Sequence, residues 1–174
     1  MMMTRFSALV AAVFIVVGAT PAPAAPTVAT PQAKGRALIL RPLSFVRVTD
    51  LDFGTIVSSS VAGTVAINPS TGARSIAGGL TPMPMAPGGR GYFAGAGSAN
   101  QQVIINLTPA TVLTDPLTGN TIAVATMYLD GATTRTIDAT ALTFYVGVGG
   151  VILVAANQPD GNYVSTFDVT ADYQ

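Results

Sequence analysis

The chain ends in a stretch of alternating side chains, Gly161-Asn-Tyr-Val-Ser-Thr-Phe-Asp-Val-Thr-Ala-Asp-Tyr-Gln174. One face of this stretch is largely apolar and carries Tyr163, Phe167, Val169, Ala171 and Tyr173. The opposite face carries one Val and otherwise Thr and Asp. A period of two with β-branched and aromatic residues predicts a half-buried strand over residues 161–174. Its apolar face needs a second layer of structure to cover it, which predicts a sandwich.

The rest of the chain repeats short β-prone runs separated by turn residues. We expect strands at residues 63–68, 92–95, 102–108 and 121–129. Residues 141–148 and 151–155 are predicted to form a hairpin around Gly149 and Gly150. No segment combines a helical period with capping residues. About eight or nine strands at this spacing predict an all-β, antiparallel, immunoglobulin-like sandwich.

The inventory of reactive side chains is small. The sequence has no Cys and no His, its acidic residues are all Asp, and Lys34 is the single Lys. General acid–base and nucleophilic catalysis depend mainly on the missing residue types, so we expect no enzymatic activity, no catalytic residue and no cofactor. Asp50 and Asp52 flank Leu51 without the further oxygen ligands of a calcium loop. They predict a turn, with Gly54 permitting the bend that follows, and no metal site.

Charged residues are sparse, at 9% of the chain, compared with about a quarter in an average globular protein. The basic residues do not cluster, which argues against nucleic acid as a partner. Many surface positions must therefore be Thr, Ser, Asn, Gly and Ala. Two copies of a protein with such a surface repel each other only weakly, which suits a protein that packs against copies of itself.

Residues 1–24 have the pattern of a secretory signal peptide. Arg5 supplies the positive start, residues 9–17 the apolar core, and Ala22 and Ala24 the small residues before the cleavage site. The apolar core is shorter than the roughly 20 residues of a membrane span, and so is the later apolar run at 141–156. We expect export to the periplasm, the cell surface or the extracellular medium, with no membrane span in the mature chain.

Residues 25–40 precede the sandwich domain, which we place at residues 41–174. Pro42 cannot donate a hydrogen bond to a ladder, and it separates residues 43–48 from an apolar run of Ala37, Leu38, Ile39 and Leu40. This run is either the first strand of its own domain or an N-terminal extension that a neighbouring subunit accepts as a strand. As a donated strand, it would fill pockets with Leu38 and Leu40 or with Ala37 and Ile39.

Two motifs resemble known families. Gly161, fourteen residues from the end, and the penultimate Tyr173 resemble the C-terminal signature of bacterial chaperone–usher pilins. Leu51-Asp-Phe-Gly54, together with residues 63–67 and 161–173, resembles a secreted bacterial family of unknown function that is related to spore-coat-U and fimbrial subunits. Many pilins have one disulfide, and this chain departs from them because it has no Cys.

The resemblance implies a pilin-like sandwich that is exported and then completed by a strand from a neighbour. In pilins a periplasmic chaperone grips the last strand, and an outer-membrane usher joins the subunits. The resemblance therefore implies self-association or homologous subunits, a periplasmic chaperone and an usher as partners. It assigns the role of assembly strand to Gly161, Tyr163, Phe167, Val169, Ala171 and Tyr173, and that of candidate donor strand to Ala37, Leu38, Ile39 and Leu40.

Two functions fit these observations. The first is an exported structural subunit of a pilus-like or other surface fibre, a fimbrium assembled by strand donation. The alternative is a monomeric secreted or periplasmic β-sandwich that acts as an adhesin or binds glycans. Sandwich lectins usually expose aromatic side chains, and Tyr92 is the candidate for such a residue here.

Overall fold

The computed structural model describes residue 27 and residues 31–174. The predicted signal peptide of residues 1–24 lies outside the described residues. Residues from Ile39 to Gln174 form one compact unit, and the preceding residues 31–38 contain neither helix nor strand. In the described part of the chain, no helix is long and apolar enough to cross a membrane.

The described residues fold into short strands joined by turns. In chain order the strands are β1 (Ser44–Thr49), β2 (Ile56–Val57), β3 (Gly63–Ile67), β4 (Arg74–Gly78), β5 (Thr81–Pro82), β6 (Gly91–Ala96), β7 (Gln102–Thr108), β8 (Val112–Thr114), β9 (Thr121–Leu129), β10 (Thr134–Thr136), β11 (Thr143–Val154) and β12 (Asp168–Tyr173). All pairings between them are antiparallel.

The long strand β11 organises the larger sheet. Its first half pairs with β6 and its second half with β3. Val148 pairs with Gly91 of β6 and also with Leu129 of β9, so β6 and β9 lie on opposite edges of β11. β1 then pairs with β6, β4 with β3, and β8 with β9, which gives seven strands.

The smaller sheet has the order β10-β7-β12 and covers one half of the larger sheet. A first core cluster lies between the two sheets and contains Phe93, Val103, Ile105, Ile137, Phe144, Val146 and Val148. This arrangement confirms the predicted all-β antiparallel sandwich. A second core cluster lies against the other half of β11 and contains Val65, Leu80, Ile122, Ile152 and Val154. The smaller sheet contributes no side chain to the second cluster among the described residues.

The predicted hairpin around Gly149 and Gly150 is wrong, because β11 is one continuous strand from Thr143 to Val154. The glycines serve close packing instead of a turn. A Cβ at Gly149 would meet the carbonyl oxygen of Ile67 and come within 2.7 Å of the Pro69 nitrogen. The turn that follows β3 therefore lies directly on the outer face of β11, and only Gly leaves room for it.

The last strand is shorter than the alternation predicts, since β12 begins at Asp168. Residues 161–167 lie outside the ladder, apart from a single bridge between Val164 and Thr114. The turn at Asp50 and Asp52 is as expected. Both aspartates are exposed, and the Asp52 carboxylate accepts the N–H of Gly54 at 2.7 Å. Gly54 has a positive φ of 76°, which Gly adopts without strain.

Candidate functional site

β1 is an edge strand of the seven-stranded sheet and β12 of the three-stranded sheet, while β2 and β5 pair in a third, two-stranded sheet. Within residues 31–174, β1 pairs only with β6 and β12 only with β7. The Tyr173 hydroxyl ties the end of β12 to the residues before β1, because it donates to the carbonyl oxygen of Arg41 at 2.9 Å. The same hydroxyl accepts the N–H of Ser98 at 2.8 Å. The sandwich is therefore closed at this end.

At the other end of β1 and β12 the sandwich opens into a groove with a volume of about 1020 Å³. One wall of the groove consists of Arg47 and residues 50–58. The other wall consists of residues 158–165 and Phe167, which lead into β12. The groove thus lies where the two edges of the sandwich diverge.

The floor of the groove is apolar. Its side chains come from β8, β9 and β11, and they are Leu113, Ile122, Val124, Met127, Ile152 and Val154. All except Met127 belong to the second core cluster or pack against it. Ile122, Ile152 and Val154 are buried and Leu113, Val124 and Met127 are half-buried, so the floor is only partly exposed in the groove.

Some backbone N–H and C=O groups of β12 have no partner on another described strand. The N–H of Gln174 donates to the carbonyl oxygen of Gln102 at 3.0 Å. Gln174 and Gln102 are therefore a hydrogen-bonded pair at the end of the β12–β7 ladder. Hydrogen-bonded pairs alternate along an antiparallel ladder. The N–H and C=O groups of Val169, Ala171 and Tyr173 consequently point away from β7, and no described residue forms a ladder with them.

Arg74 holds the first wall of the groove in place. Its guanidinium donates to the carbonyl oxygens of Phe53 at 3.3 Å and Thr55 at 3.2 Å. It also donates to the carbonyl oxygens of Ala86 at 3.1 Å and Met83 at 3.2 Å. One side chain thus joins the loop after β1 to the loop after β5, and the wall keeps its shape without a covering strand.

Gly161 lies within the second wall and packs against a buried carboxylate. Asp115 is 2% exposed, and it accepts the Thr118 hydroxyl at 2.6 Å and the Leu117 N–H at 3.1 Å. The bond from Thr118, followed by that from Leu117, holds the pKa of Asp115 below its ordinary value of 3.8 despite desolvation. A Cβ at Gly161 would come within 2.6 Å of this carboxylate. Gly therefore allows the wall to rest on the Asp115 turn.

The walls carry more negative than positive charge. Asp50, Asp52 and Asp160 line the groove, and Arg47 is the one cation among its described lining residues. Arg47 and Asp50 form an exposed ion pair with an N···O distance of 2.5 Å. The described residues contain no group of three or more acidic side chains close enough to hold a metal ion. The rim of the groove has a net side-chain charge of −2.

The sequence model of one family, described as a domain of unknown function (DUF4402), matches residues 43–173. The match covers well over half of the chain and spans β1 to β12. The chain belongs to the DUF4402 family. No curated protein and no solved structure matches the chain.

The candidate donor strand precedes the part of the chain that matches DUF4402. Ala37, Leu38, Ile39 and Leu40 form no strand in the structure. The side chains of Leu38 and Ile39 are 74% and 93% exposed. Leu40, by contrast, is half-buried.

The predicted assembly strand is divided between the groove and β12 of the DUF4402 domain. Gly161 and Tyr163 lie in the second wall, where the Tyr163 hydroxyl donates to the carbonyl oxygen of Pro159 at 2.7 Å. The remaining predicted residues pack on the first core cluster, and they are Phe167, Val169, Ala171 and Tyr173. The segment that carries these six residues runs from a bridge with β8 of the larger sheet, at Val164, to β12 of the smaller sheet, and only Val169, Ala171 and Tyr173 are in a ladder.

Tyr92 forms an aromatic pair on the outer face of the DUF4402 domain. Its ring lies parallel to that of Tyr145, with 5.6 Å between centroids and 2° between planes. The Arg90 guanidinium lies 4.4 Å from the Tyr92 ring centroid, which leaves Tyr92 half-buried. Tyr145 is 51% exposed. The sequence reasoning missed Tyr145, although its position between Phe144 and Val146 gives the alternation that places it outward.

Proposed function

We propose that this protein is an exported structural subunit of a pilus-like surface fibre, in which the groove accepts a β-strand from a neighbouring subunit. The observation that carries the proposal is an open apolar groove beside the unpaired edge of β12. An inserted strand meets the side chains of the floor in the groove. Where it continues past Phe167 along β12, the free backbone groups of Val169 and Ala171 are open to pair with it.

The groove is a liability for an isolated subunit. Unpaired strand edges invite contact with other chains, and burying one Leu side chain contributes about 1.5–3 kcal/mol. A strand from a neighbour therefore stabilises the fold while it removes the exposed surface. Because such a contact is head-to-tail and does not close on itself, repeated contacts build a fibre.

Export and assembly factors belong to the same proposal. The signal-like residues 1–24 favour passage through the periplasm to the cell surface or the medium. The resemblance to spore-coat-U and fimbrial subunits favours a periplasmic chaperone, which covers the groove before assembly, and an outer-membrane usher. The low charge of the chain suits close packing between copies.

An SDS gel of material sheared from the cell surface tests the proposal when unheated and boiled samples are compared. Strand-linked subunits are expected to give a ladder in the unheated lane and a single band near the mature mass after boiling. A monomer band in both lanes would overturn the proposal.

A matched pair of variants shows whether the ladder depends on the groove. Val164 lies in the second wall and is 50% exposed, so Val164→Lys is expected to fold and to lose the ladder. Val46 is similarly exposed on β1 but does not line the groove, and Val46→Lys is expected to keep it. Equal ladders from the two variants would contradict a role of the groove in assembly.

A second candidate function is adhesion through a glycan that binds at the outer face of the domain. It is favoured by the parallel pair of Tyr92 and Tyr145, because a flat, partly exposed aromatic face suits the apolar side of a sugar ring. Glycan-array binding by the purified protein that disappears in Tyr145→Ala would support this candidate. Binding that is unchanged in this variant would exclude the aromatic pair as the site.

A further inference from the structure

We infer that the outer face of the larger sheet binds an acidic glycan, with a sugar ring on Tyr145 and the sugar carboxylate at the guanidinium of Arg41. This inference rests on the second candidate function, glycan binding at the outer face, and it is independent of fibre assembly. It adds the class of sugar and a second contact, which distinguishes acidic from neutral glycans.

The Tyr145 ring has one free face on this surface. Arg90 lies two residues before Tyr92 in the chain. Tyr145 pairs with Ala94, two residues after Tyr92. The Arg90 guanidinium and the Tyr145 ring therefore flank the Tyr92 ring along β6, at 4.4 Å and 5.6 Å from its centroid. Arg90 is fixed in this position because it also donates to the carbonyl oxygen of Pro69 at 3.0 Å. Tyr92 is thus covered on both sides, and the ring face open to a ligand is that of Tyr145.

A shallow pocket with a volume of about 300 Å³ lies beside this ring face. Thr143 and Tyr145 lie on the same face of β11, with Cα atoms about 7 Å apart. Thr143 pairs with Ala96 of β6, and Ala96 pairs with Ser44 of β1. Ala96 and Ser44 line the pocket, so the pocket and the Tyr145 ring are neighbours on the outer face. The other residues that line the pocket are Arg41, Pro42, Gly97, Ala141 and Leu142.

Arg41 supplies a positive charge at this pocket. Its backbone is anchored, because its N–H donates to Ser98 Oγ at 2.7 Å and its carbonyl oxygen accepts the Tyr173 hydroxyl at 2.9 Å. Its guanidinium forms no hydrogen bond or ion pair with the residues of the range 31–174. A guanidinium binds a carboxylate through two parallel hydrogen bonds. The Arg41 side chain is therefore available to hold the carboxylate of a sugar that stacks on Tyr145.

No acidic side chain is among the described residues that line the pocket. Asp138 precedes the pocket loop of residues 141–142. Its Oδ1 accepts the N–H of Thr140 at 2.8 Å and that of Ala141 at 2.6 Å. The Asp138 carboxylate is thus bound within its own turn, and the pocket keeps the positive charge of Arg41.

The wall of the pocket is preformed. Leu142 has a positive φ of 60°, a conformation that bulky residues rarely adopt. Its N–H donates to the carbonyl oxygen of Asp138 at 3.1 Å, and its own carbonyl oxygen accepts the N–H of Gly97 at 3.0 Å. Residues held in such conformations cluster at ligand-binding sites. The wall therefore needs no rearrangement to receive a ligand.

The row between the Tyr145 ring and Arg41 favours a saccharide over other carboxylates. It carries the hydroxyl groups of Ser44 and Thr143 with Ala96 between them. A sugar ring has an apolar face for Tyr145 and hydroxyl groups at its edge for this row. An aliphatic carboxylate would pair with Arg41 and leave the two hydroxyl groups without a partner.

Matched acidic and neutral probes test the inference by isothermal titration calorimetry of the purified protein. One pair is a galacturonic acid oligomer and the same oligomer after reduction of its carboxyl groups, and the second pair is sialyllactose and lactose. In at least one pair the acidic probe is expected to bind about fivefold more tightly, which lies in the range of one exposed charged contact. Equal affinities within both pairs, or no binding of either acidic probe, would overturn the inference.

Substitutions assign the preference to the pocket. Arg41→Gln keeps the backbone contacts of this residue and is expected to weaken binding of the acidic probe about fivefold, a loss typical of one exposed ion pair, with no change for the neutral probe. Tyr145→Ala is expected to abolish binding of both. Arg47→Gln is the control, because Arg47 is an exposed cation of β1 that pairs with Asp50 and lies outside the pocket. Equal losses in Arg41→Gln and Arg47→Gln would mean general charge attraction and would overturn the assigned site.

The result is separable from the tests of the proposed functions. Binding of neutral and acidic probes with equal affinity, lost in Tyr145→Ala, would leave the glycan-binding candidate in place and remove only this inference. Absence of binding to every glycan would remove that candidate as well. The SDS-resistant ladder is expected to be the same in Arg41→Gln and in the unmodified protein.

Discussion

Tyr173 shows how one side chain can close one end of an otherwise open sandwich. Its hydroxyl accepts the Ser98 N–H and donates to the Arg41 carbonyl oxygen, so both edges of the sandwich depend on it. We expect Tyr173→Phe to lower the free energy of unfolding by about 1–3 kcal/mol, because the Ser98 N–H loses its partner. Urea unfolding of the purified protein measures this difference.

Tyr145→Phe is the matched control for the Tyr173 prediction. Tyr145 lies on the outer face, and its hydroxyl makes no hydrogen bond within the described part of the chain, so its loss is expected to leave unfolding unchanged. Equal effects of the two substitutions would contradict the structural role assigned to the Tyr173 hydroxyl.

At the residue scale, the two residues of the C-terminal motif were recognised from the sequence, but the contacts that explain them were not. Gly161 is required because the Asp115 carboxylate lies against it, and Tyr173 is required because it bonds residues far from it in the chain. Both partners are non-local. An alternating pattern predicts which face of a strand is buried, and it carries no information about a turn that packs on it from elsewhere.

At the scale of elements, β11 is the strand on which the larger sheet depends, and its glycines receive the turn after β3. We expect Gly149→Ala to lower the free energy of unfolding by about 1–3 kcal/mol, the usual cost of overpacking a filled site. The measurement is chemical or thermal unfolding. Gly89→Ala is the control, since a Cβ there would have no neighbour within 4 Å. A Gly149→Ala protein as stable as this control would show that the turn does not press on β11.

Short strands bounded by turn residues were predicted well, and the failures share one cause. β3, β6, β7 and β9 lie within a residue or two of their predicted positions, because their turns are marked locally by Pro, Gly, Asn and Asp. Gly149 and Gly150 were assigned to a turn on the same local rule. The rule fails there because the Gly pair satisfies a packing contact with a distant turn.

At the scale of the whole molecule, the groove could not be predicted from the sequence beyond the expectation that a strand is missing. Its floor combines residues of β8, β9 and β11, and its walls come from the loops before β2 and β12. The location of a groove depends on which part of the larger sheet the smaller one leaves bare. Sheet pairing of this kind brings together residues from distant parts of the chain. A local sequence pattern does not predict which of these residues will meet.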